Sequence, residues 1–335
     1  MKLDILKYLS QDDQKKLVHC EQPEWTEPML AYLEHDLFFD KNWFYERKFD
    51  GERCLAFIAG NNVRLRSRNN KSLNASYPEI EQVLGQAVPF DCILDGEVVA
   101  FDGNETSFEK LQRRMQLHDR LEAIKTGVAV YYYVFDIIFA DGYDVTHLPL
   151  KSRKKILREI VAFKGAIRYS VHRIANCEQY YNYACTSGWE GLMCKDPESS
   201  YAHVRSASWL KFKCVANQEL VIGGYTDPQG SRIGFGALLL GYYDDKMNLH
   251  YAGKVGTGFD DALLASLSSR LKSLEIKKCP FSSHETIKER TAHWVKPELV
   301  AEIGFTEWTA DNKLRHPRFQ GLRNDKAALD VRQEK

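Results

Sequence analysis

Lys48 stands between two carboxylates in Glu46-Arg47-Lys48-Phe49-Asp50-Gly51-Glu52-Arg53, directly after the aromatic run Trp43, Phe44 and Tyr45. Read as a strand, the segment turns Glu46, Lys48 and Asp50 to one face ahead of a glycine turn. A lysine near its reference pKa of about 10.4 is protonated and inert, so nucleophilic use requires neighbouring cations or a metal that favour the neutral amine. Such cations are offered by Trp209-Leu210-Lys211-Phe212-Lys213-Cys214, whose alternation sends Leu210, Phe212 and Cys214 one way and Lys211 and Lys213 the other. Taken alone, the Lys48 segment also reads as exposed strand charges before an Asp-Gly turn.

Other segments suit phosphate and metal chemistry. Val63-Arg64-Leu65-Arg66-Ser67-Arg68-Asn69 would line one strand face with Arg64, Arg66 and Arg68, a row able to grip phosphates or simply to solvate an edge strand. Ile93-Leu94-Asp95-Gly96-Glu97-Val98-Val99 sets two carboxylates on one face of an apolar strand, where they need a cation or a metal unless Asp95-Gly96 is a turn. Tyr131 to Ile138 is long enough for a central strand, and an aromatic on it can stack on a base or fill a core. Glu190 opens the apolar run Gly191-Leu192-Met193-Cys194-Lys195 and can also take a metal. The basic stretch Leu314-Arg315-His316-Pro317-Arg318-Phe319 to Arg323-Asn324-Asp325-Lys326 reads most plainly as a solvated tail.

These residues need a scaffold of two kinds. Amphipathic spacing around Leu3, Ile5, Leu6 and Leu9 predicts a short helical lead-in over residues 1–27. Residues 28–216 alternate short β-rich runs with helical stretches at Phe108–Ile124 and Lys151–Val161, which predicts a mixed α/β domain. In residues 217–335, strands at Leu220–Tyr225, Ala237–Tyr243, Leu249–Lys254 and Leu299–Thr309, with one helix at Asp260–Leu274, suit a small β-barrel such as the oligonucleotide-binding (OB) fold.

Composition sets the outer bounds. The 335 residues carry 46 Lys plus Arg against 46 Asp plus Glu, with 44% hydrophobic residues, which excludes a disordered chain, a coiled coil and a collagen-like fibre. Residues 217–335 hold 17 Lys plus Arg against 16 Asp plus Glu, so the charges that matter are local rather than segregated. No stretch approaches the roughly 18 apolar residues of a membrane span, and the N-terminus has no secretory signal, so a soluble cytoplasmic protein is expected. The eight cysteines form no C-x-x-C pair and mostly lie in apolar runs, so buried free thiols are expected rather than zinc ligands or disulfides.

The order and spacing of these elements resemble the ATP-dependent DNA ligases of the covalent nucleotidyltransferase superfamily. The shared pattern is K-x-D-G-x-R, an S-R-N-like element, D-G-E, an aromatic before Asp, E-G-x-x-x-K, a K-x-K pair and a terminal R-x-D-K, and it spans residues 46 to 326 here. Ser107-Phe108-Glu109-Lys110-Leu111-Gln112-Arg113 and Leu314-Arg315-His316-Pro317 look most like the ligase module of bacterial end-joining repair proteins. The resemblance implies an α/β (α+β) nucleotidyltransferase domain, ATP-grasp-like, followed by a C-terminal OB-fold barrel.

It also implies roles. Lys48 would attack the α-phosphate of ATP, Phe135 would stack on adenine, and Arg53 and Glu97 would hold the ribose, with Glu46 also at the nucleotide. Glu190 and Glu97 would bind Mg²⁺ (or Mn²⁺), Lys211 and Lys213 would neutralise the α-phosphate, and Arg323, Asp325 and Lys326 would orient the leaving pyrophosphate. Arg68, flanked by Ser67 and Asn69, would hold the 5′-phosphate of nicked double-stranded DNA, and Asp50 would assist the 3′-hydroxyl. A monomer bound at the nucleoid, with Ku-like or other repair partners, is expected. With 47 residues before Lys48, the large helical DNA-binding domain of replicative ligases is expected to be absent. A GTP-dependent capping guanylyltransferase, an RNA ligase and a catalytically silent nucleic-acid-binding module are the alternatives.

Overall fold

A computed structural model describes residues 4–115, 117–214, 217–230, 232–282 and 287–334. The chain divides into two compact units, residues 1–214 and 215–335.

The first unit is built on two sheets. Strands Cys92–Asp102, Val130–Ala140 and Glu52–Ala59 form the centre of the larger sheet, with Asn62–Ser67 at one side and Tyr143–Asp144 and Val18–His19 at the other. Ile167–Tyr169 adds to it in parallel beside Val130–Ala140. One face of this sheet buries Cys54, Ala56 and Ile58 against helices Pro78–Ala87, Phe108–Met115 and Leu150–Ile160. The other face presents Leu55, Phe57, Ile93 and Phe135, which pack with Trp209 of the second sheet.

That second sheet runs His172–Arg173, Phe44–Lys48, Gly191–Lys195, Arg205–Lys213 and Leu30–Leu33. Its outer face is apolar: Tyr45, Leu192, Cys194, Leu210 and Phe212 lie against helix Cys177–Thr186. Period-two alternation therefore turns the even-numbered residues of Phe44–Lys48, and the odd-numbered ones of Gly191–Lys195 and of Trp209 to Lys213, toward the cleft between the sheets.

The second unit is a twisted antiparallel sheet of Leu249–Val255, Leu238–Tyr243, Asn217–Thr226, Ala292–Gly304 and Glu275–Ile276, with Arg318–Leu322 also pairing to Ala292–Gly304. Bulges at Ile222/Gly224, Leu240/Gly241 and Glu302/Ile303 bend the strands as an OB-type barrel requires. Helix Asp261–Ser273 starts on the N-cap of Asp260, whose side chain accepts from the Leu263 amide, and packs on that core.

Three sequence expectations change. The helical lead-in is reduced to a 3₁₀ turn, Ile5–Tyr8, and a four-residue helix, Gln11–Gln14, capped by Ser10; the chain then enters the larger sheet at Val18–His19. The helix expected over Phe108–Ile124 is two, Phe108–Met115 and Arg120–Lys125, because Asp119 caps a new start by accepting from the Leu121 and Glu122 amides. The C-terminal basic stretch is not a tail, since Arg318–Leu322 is a paired strand.

The expectation of thiols alone fails at one pair. Cys185, at the end of helix Cys177–Thr186, is disulfide-bonded to Cys214, just past strand Arg205–Lys213, with Cα atoms 5.0 Å apart; Cys20, Cys54, Cys92, Cys177, Cys194 and Cys279 are free. The alternation argument placed Cys214 on the apolar face but had no access to its neighbour 29 residues away. A crosslink closing a loop of that length stabilises by about 3–4 kcal/mol. Reduction, or the Cys185→Ser and Cys214→Ser pair, should lower the urea midpoint of the first unit accordingly; identical midpoints with and without reductant would contradict this.

Candidate active site

Strand register brings the sequence-chosen lysines together. Lys48, Gly191 and Lys213 form one row across three adjacent strands, and Glu46, Met193 and Lys211 form the next. Side chains of one row project to the same face, so Lys48, Lys211 and Lys213 share one wall of the cleft. Lys48 Nζ forms an ion pair with Glu190 Oε1, and both side chains are largely buried. Burial pushes the Glu190 carboxyl up, but the ammoniums of Lys48 and Lys213, with Lys211 behind them, bring it below the usual carboxylate range. Gly191 makes this approach feasible: its φ is +150°, and a Cβ there would meet the Phe212 carbonyl oxygen at 1.8 Å.

Glu46 does not sit beside Lys48 as a second surface carboxylate. It is 1% exposed, and its Oε1 accepts from Lys154 Nζ at 2.6 Å while its Oε2 accepts from Lys195 Nζ at 2.9 Å and Ser170 Oγ at 3.0 Å. Asp50 lies beyond the end of the strand, where its amide donates to Thr106 Oγ1 at 3.4 Å. Lys154 and Lys195 were missed in the sequence as site residues. Lys195 had a signal, the period-two step from Gly191 through Met193. Lys154 had none, because its helix meets Glu46 across 108 positions.

The facing sheet supplies the other wall. Asp95-Gly96 is no turn: Asp95 is fully buried in a strand, accepting from Arg53 Nε at 2.5 Å, Arg53 Nη2 at 2.6 Å and Tyr201 Oη at 2.6 Å. Arg53 also donates to the Met29 carbonyl at 3.2 Å, and its guanidinium lies 4.7 Å from the Phe135 ring. Phe135 in turn meets Trp209 edge-on at 5.9 Å with Lys195 Nζ 4.2 Å from each ring. Arg53, Glu97, Tyr133 and Arg168 form one row across four strands of this sheet, so Glu97 faces the same cleft as Arg53.

The row of three arginines is broken by the end of its strand. Arg64 pairs with Glu24 at 2.6 Å, Arg66 remains on Asn62–Ser67, and Arg68 falls in the following turn. Ser67 is buried, and its Oγ accepts from the Lys71 amide at 3.1 Å, so it builds the turn that carries Arg68 and Asn69 rather than facing outward itself.

In the second unit, Arg323 and Lys326 sit among carboxylates. Arg323 donates to Asp325 through Nε at 3.0 Å and Nη2 at 2.9 Å, and to Glu302 at 3.3 Å. Lys326 pairs with Glu219 at 2.7 Å. Burial disfavours the Arg323 charge, and these carboxylates outweigh burial, keeping it firmly protonated.

Among the described residues no group of three or more His, Cys, Asp or Glu gathers as a metal cage. The donor set does fit Mg²⁺, which takes one or two carboxylates and completes its shell with water and nucleotide phosphates. Glu190 and Glu97 are such carboxylates.

A two-sheet domain with a buried lysine, a carboxylate on that lysine and two further lysines on the same wall, followed by an OB-type unit, defines a covalent nucleotidyltransferase. The comparisons narrow the class. The ATP dependent DNA ligase domain matches residues 28–213, and the ATP dependent DNA ligase C terminal region matches residues 231–326. The multifunctional non-homologous end joining protein LigD of Pseudomonas aeruginosa is 34% identical over 319 residues, 93% of this chain and 37% of that protein. DNA ligase of Pyrobaculum calidifontis is 31% identical over 320 residues, 85% of this chain and 54% of that protein. A solved structure of mycobacterial DNA ligase D complexed with ATP and MES shares 30% identity and a TM-score of 0.65, covering 92% of this chain and 98% of the other. The chain belongs to the ATP-dependent DNA ligases. It spans 37–40% of the length of the LigD proteins it matches.

Proposed function

We propose that this chain seals nicks in duplex DNA at the expense of ATP, by way of a lysyl-adenylate on Lys48 and then an adenylated DNA end. The observation that carries the reading is the row Lys48–Gly191–Lys213 with Glu190 paired to Lys48. In the first step Lys48 Nζ, as the neutral amine, attacks the α-phosphorus of ATP; the P–N bond forms as the bond to pyrophosphate breaks. Lys213, in the row of Lys48, and Lys211, in the next, meet the charge on the α-phosphate. Phe135 and Arg53 form the apolar and cationic floor for the nucleoside, and Glu97 faces it from the same row. Arg323 and Lys326 orient the departing pyrophosphate. Bound Mg²⁺, held by Glu190 and Glu97, would supply charge neutralisation at the phosphates.

In the second step a 5′-phosphate oxygen of the nick attacks the lysyl-adenylate, releasing Lys48 and forming a 5′-to-5′ pyrophosphate. In the third, the 3′-hydroxyl attacks that capped phosphate and AMP leaves, with Asp50 assisting the hydroxyl. We further propose a repair role in end joining, suggested by the names of the LigD relatives, with Ku-like end-binding partners, action as a monomer, and a cytoplasmic, nucleoid-bound location. The structure contains no helix among its described residues that is long and apolar enough to cross a membrane.

Arg68→Ala separates the steps. It should leave self-adenylation near the wild-type rate and reduce nick sealing by about tenfold or more, the scale of one charge-assisted phosphate contact. Equal loss of both activities would remove Arg68 from the DNA-phosphate role. The reading as a whole is tested by incubating the protein with α-labelled ATP or α-labelled GTP and Mg²⁺, resolving it on a denaturing gel, and chasing with nicked duplex. Label from ATP that discharges as AMP while the nick closes supports the ligase; label from GTP alone makes a capping-type enzyme, and no label from either leaves a silent binding module.

A further inference from the structure

Three arginines of the first unit rest on aromatic rings. Arg47 lies 4.4 Å from the Trp189 ring, with Phe49 and Phe101 at 5.5 and 5.6 Å. Arg168 lies 5.4 Å from Tyr131, and Arg173 lies 4.3 Å from Tyr180. The rings connect these cations into one belt, since Tyr131 meets Phe101 at 5.8 Å and Trp189 meets Tyr180 at 5.6 Å.

Like Arg66, Arg113 and Arg158 among the described residues, these three arginines have no carboxylate partner, and what sets them apart from those is the rings beneath them. Arg53, Arg64, Arg114, Arg120 and Arg153 each pair with a carboxylate, whereas Arg47, Arg168 and Arg173 have none within 4.0 Å among the described residues. Arg47 is the most telling. Its Nε is buried with no hydrogen-bond partner, while its Nη2 donates to the Asn104 carbonyl at 3.3 Å. Burial lowers its pKa, an effect that the Tyr133, Tyr180 and Tyr183 hydroxyls and the Glu105 carboxylate oppose from longer range. A partly dehydrated guanidinium without a counter-ion is arranged to accept an anion from outside.

The belt is continuous with the cleft. Arg168 belongs to the row of Arg53, Glu97 and Tyr133, and the Tyr133 ring lies 4.2 Å from Phe49 and 6.2 Å from Phe101, the rings beside Arg47. Beyond Trp189, Tyr183 is 57% exposed and extends the ring surface outward. We infer that this belt grips the sugar-phosphate backbone of the DNA strand leading away from the nick, with Arg47, Arg168 and Arg173 on phosphates and the rings against sugars and bases. The inference rests on the ligase reading. Cations backed by aromatic faces suit nucleic acid because one surface meets both charged phosphate and flat, apolar sugar or base.

The test is a salt titration of nicked-duplex binding for the wild type, for Arg47→Ala, Arg168→Ala and Arg173→Ala singly, and for all three together. Each phosphate contact removed should flatten the slope of log affinity against log salt by about 0.9, and the triple change by about 2.7. Emission assigned to Trp189 by difference from Trp189→Phe should change when DNA is added to the wild type. Self-adenylation with ATP should stay at wild-type level in the variants. An unchanged slope in an adenylation-competent triple variant, with unchanged Trp189 emission, overturns the inference and leaves the belt to packing or to a protein partner. Should the triple variant lose adenylation through misfolding, Arg173→Ala, on an exposed side chain, decides by its slope alone. A wild type that neither self-adenylates nor binds nicked duplex defeats the ligase reading, and the inference falls with it.

Discussion

Lys48→Ala is expected to reduce lysyl-adenylate formation by a factor on the order of 10⁶, to background, because removal of a covalent nucleophile leaves no group to carry the intermediate. The same variant should still seal a nick whose 5′ end already carries AMP, since that last step uses the DNA 3′-hydroxyl as nucleophile. The asymmetry follows from geometry: Lys48 is largely buried, paired to Glu190, and in register with Lys213, so its truncation empties one position without disturbing the apolar face formed by Tyr45, Leu192 and Phe212. Labelled ATP with a denaturing gel reads the first activity, and pre-adenylated nicked duplex reads the other. Persistent label on the variant would move the nucleophile elsewhere, with Lys213, in the same row as Lys48, the nearest candidate by strand position. A folded variant unable to seal the pre-adenylated nick would give Lys48 a wider part in the reaction.

What the sequence disclosed and what it hid divide along the range of the interactions. The wall of lysines was legible because period-two alternation is local: Leu210, Phe212 and Cys214 opposite Lys211 and Lys213 can be read from six residues, and the strand forms as read. The D-G-E carboxylates were legible as needing partners, and Asp95 has them in Arg53 and Tyr201. Their identity was not, because both lie on other strands or loops. Glu46 shows the limit most plainly. Its period-two partnership with Lys48 is correct as to face, since the cleft-facing residues of that strand include both. Its charge, however, is claimed from below by Lys154, Lys195 and Ser170, which tertiary packing delivers from positions 108, 149 and 124 residues away. Arg323 repeats the lesson in the second unit: a run of charges that looks solvated in sequence is buried among Asp325 and Glu302 once the strand before it pairs.

Glu46→Gln is the second large expected effect, and it acts on stability before activity. The substitution keeps volume and shape but removes the carboxylate paired with two buried ammoniums, and breaking a buried ion pair on one side costs about 3–5 kcal/mol. The proton equilibrium gives a similar figure. Burial alone would raise the Glu46 carboxyl, yet the Lys154 and Lys195 ammoniums pull it from 4.5 down to about 2, a shift equivalent to about 3 kcal/mol. The sign of the pH dependence follows. The folded pKa lies below the unfolded one, so this stabilisation is complete above about pH 4.5 and is lost as pH falls toward 2. Urea unfolding of the wild type should therefore show a midpoint that declines through that window, and Glu46→Gln should start from a lower midpoint at neutral pH and decline less. Replacing all three members at once, Glu46→Leu with Lys154→Met and Lys195→Met, should recover much of the loss, because an apolar trio leaves no buried charge uncompensated. Equal acid slopes for wild type and Glu46→Gln would show that the cluster does not hold its charge in the folded protein. Nick sealing that is lost in the trio despite recovered stability would then assign the buried charges to the chemistry, through Lys195 where it meets the rings of Phe135 and Trp209.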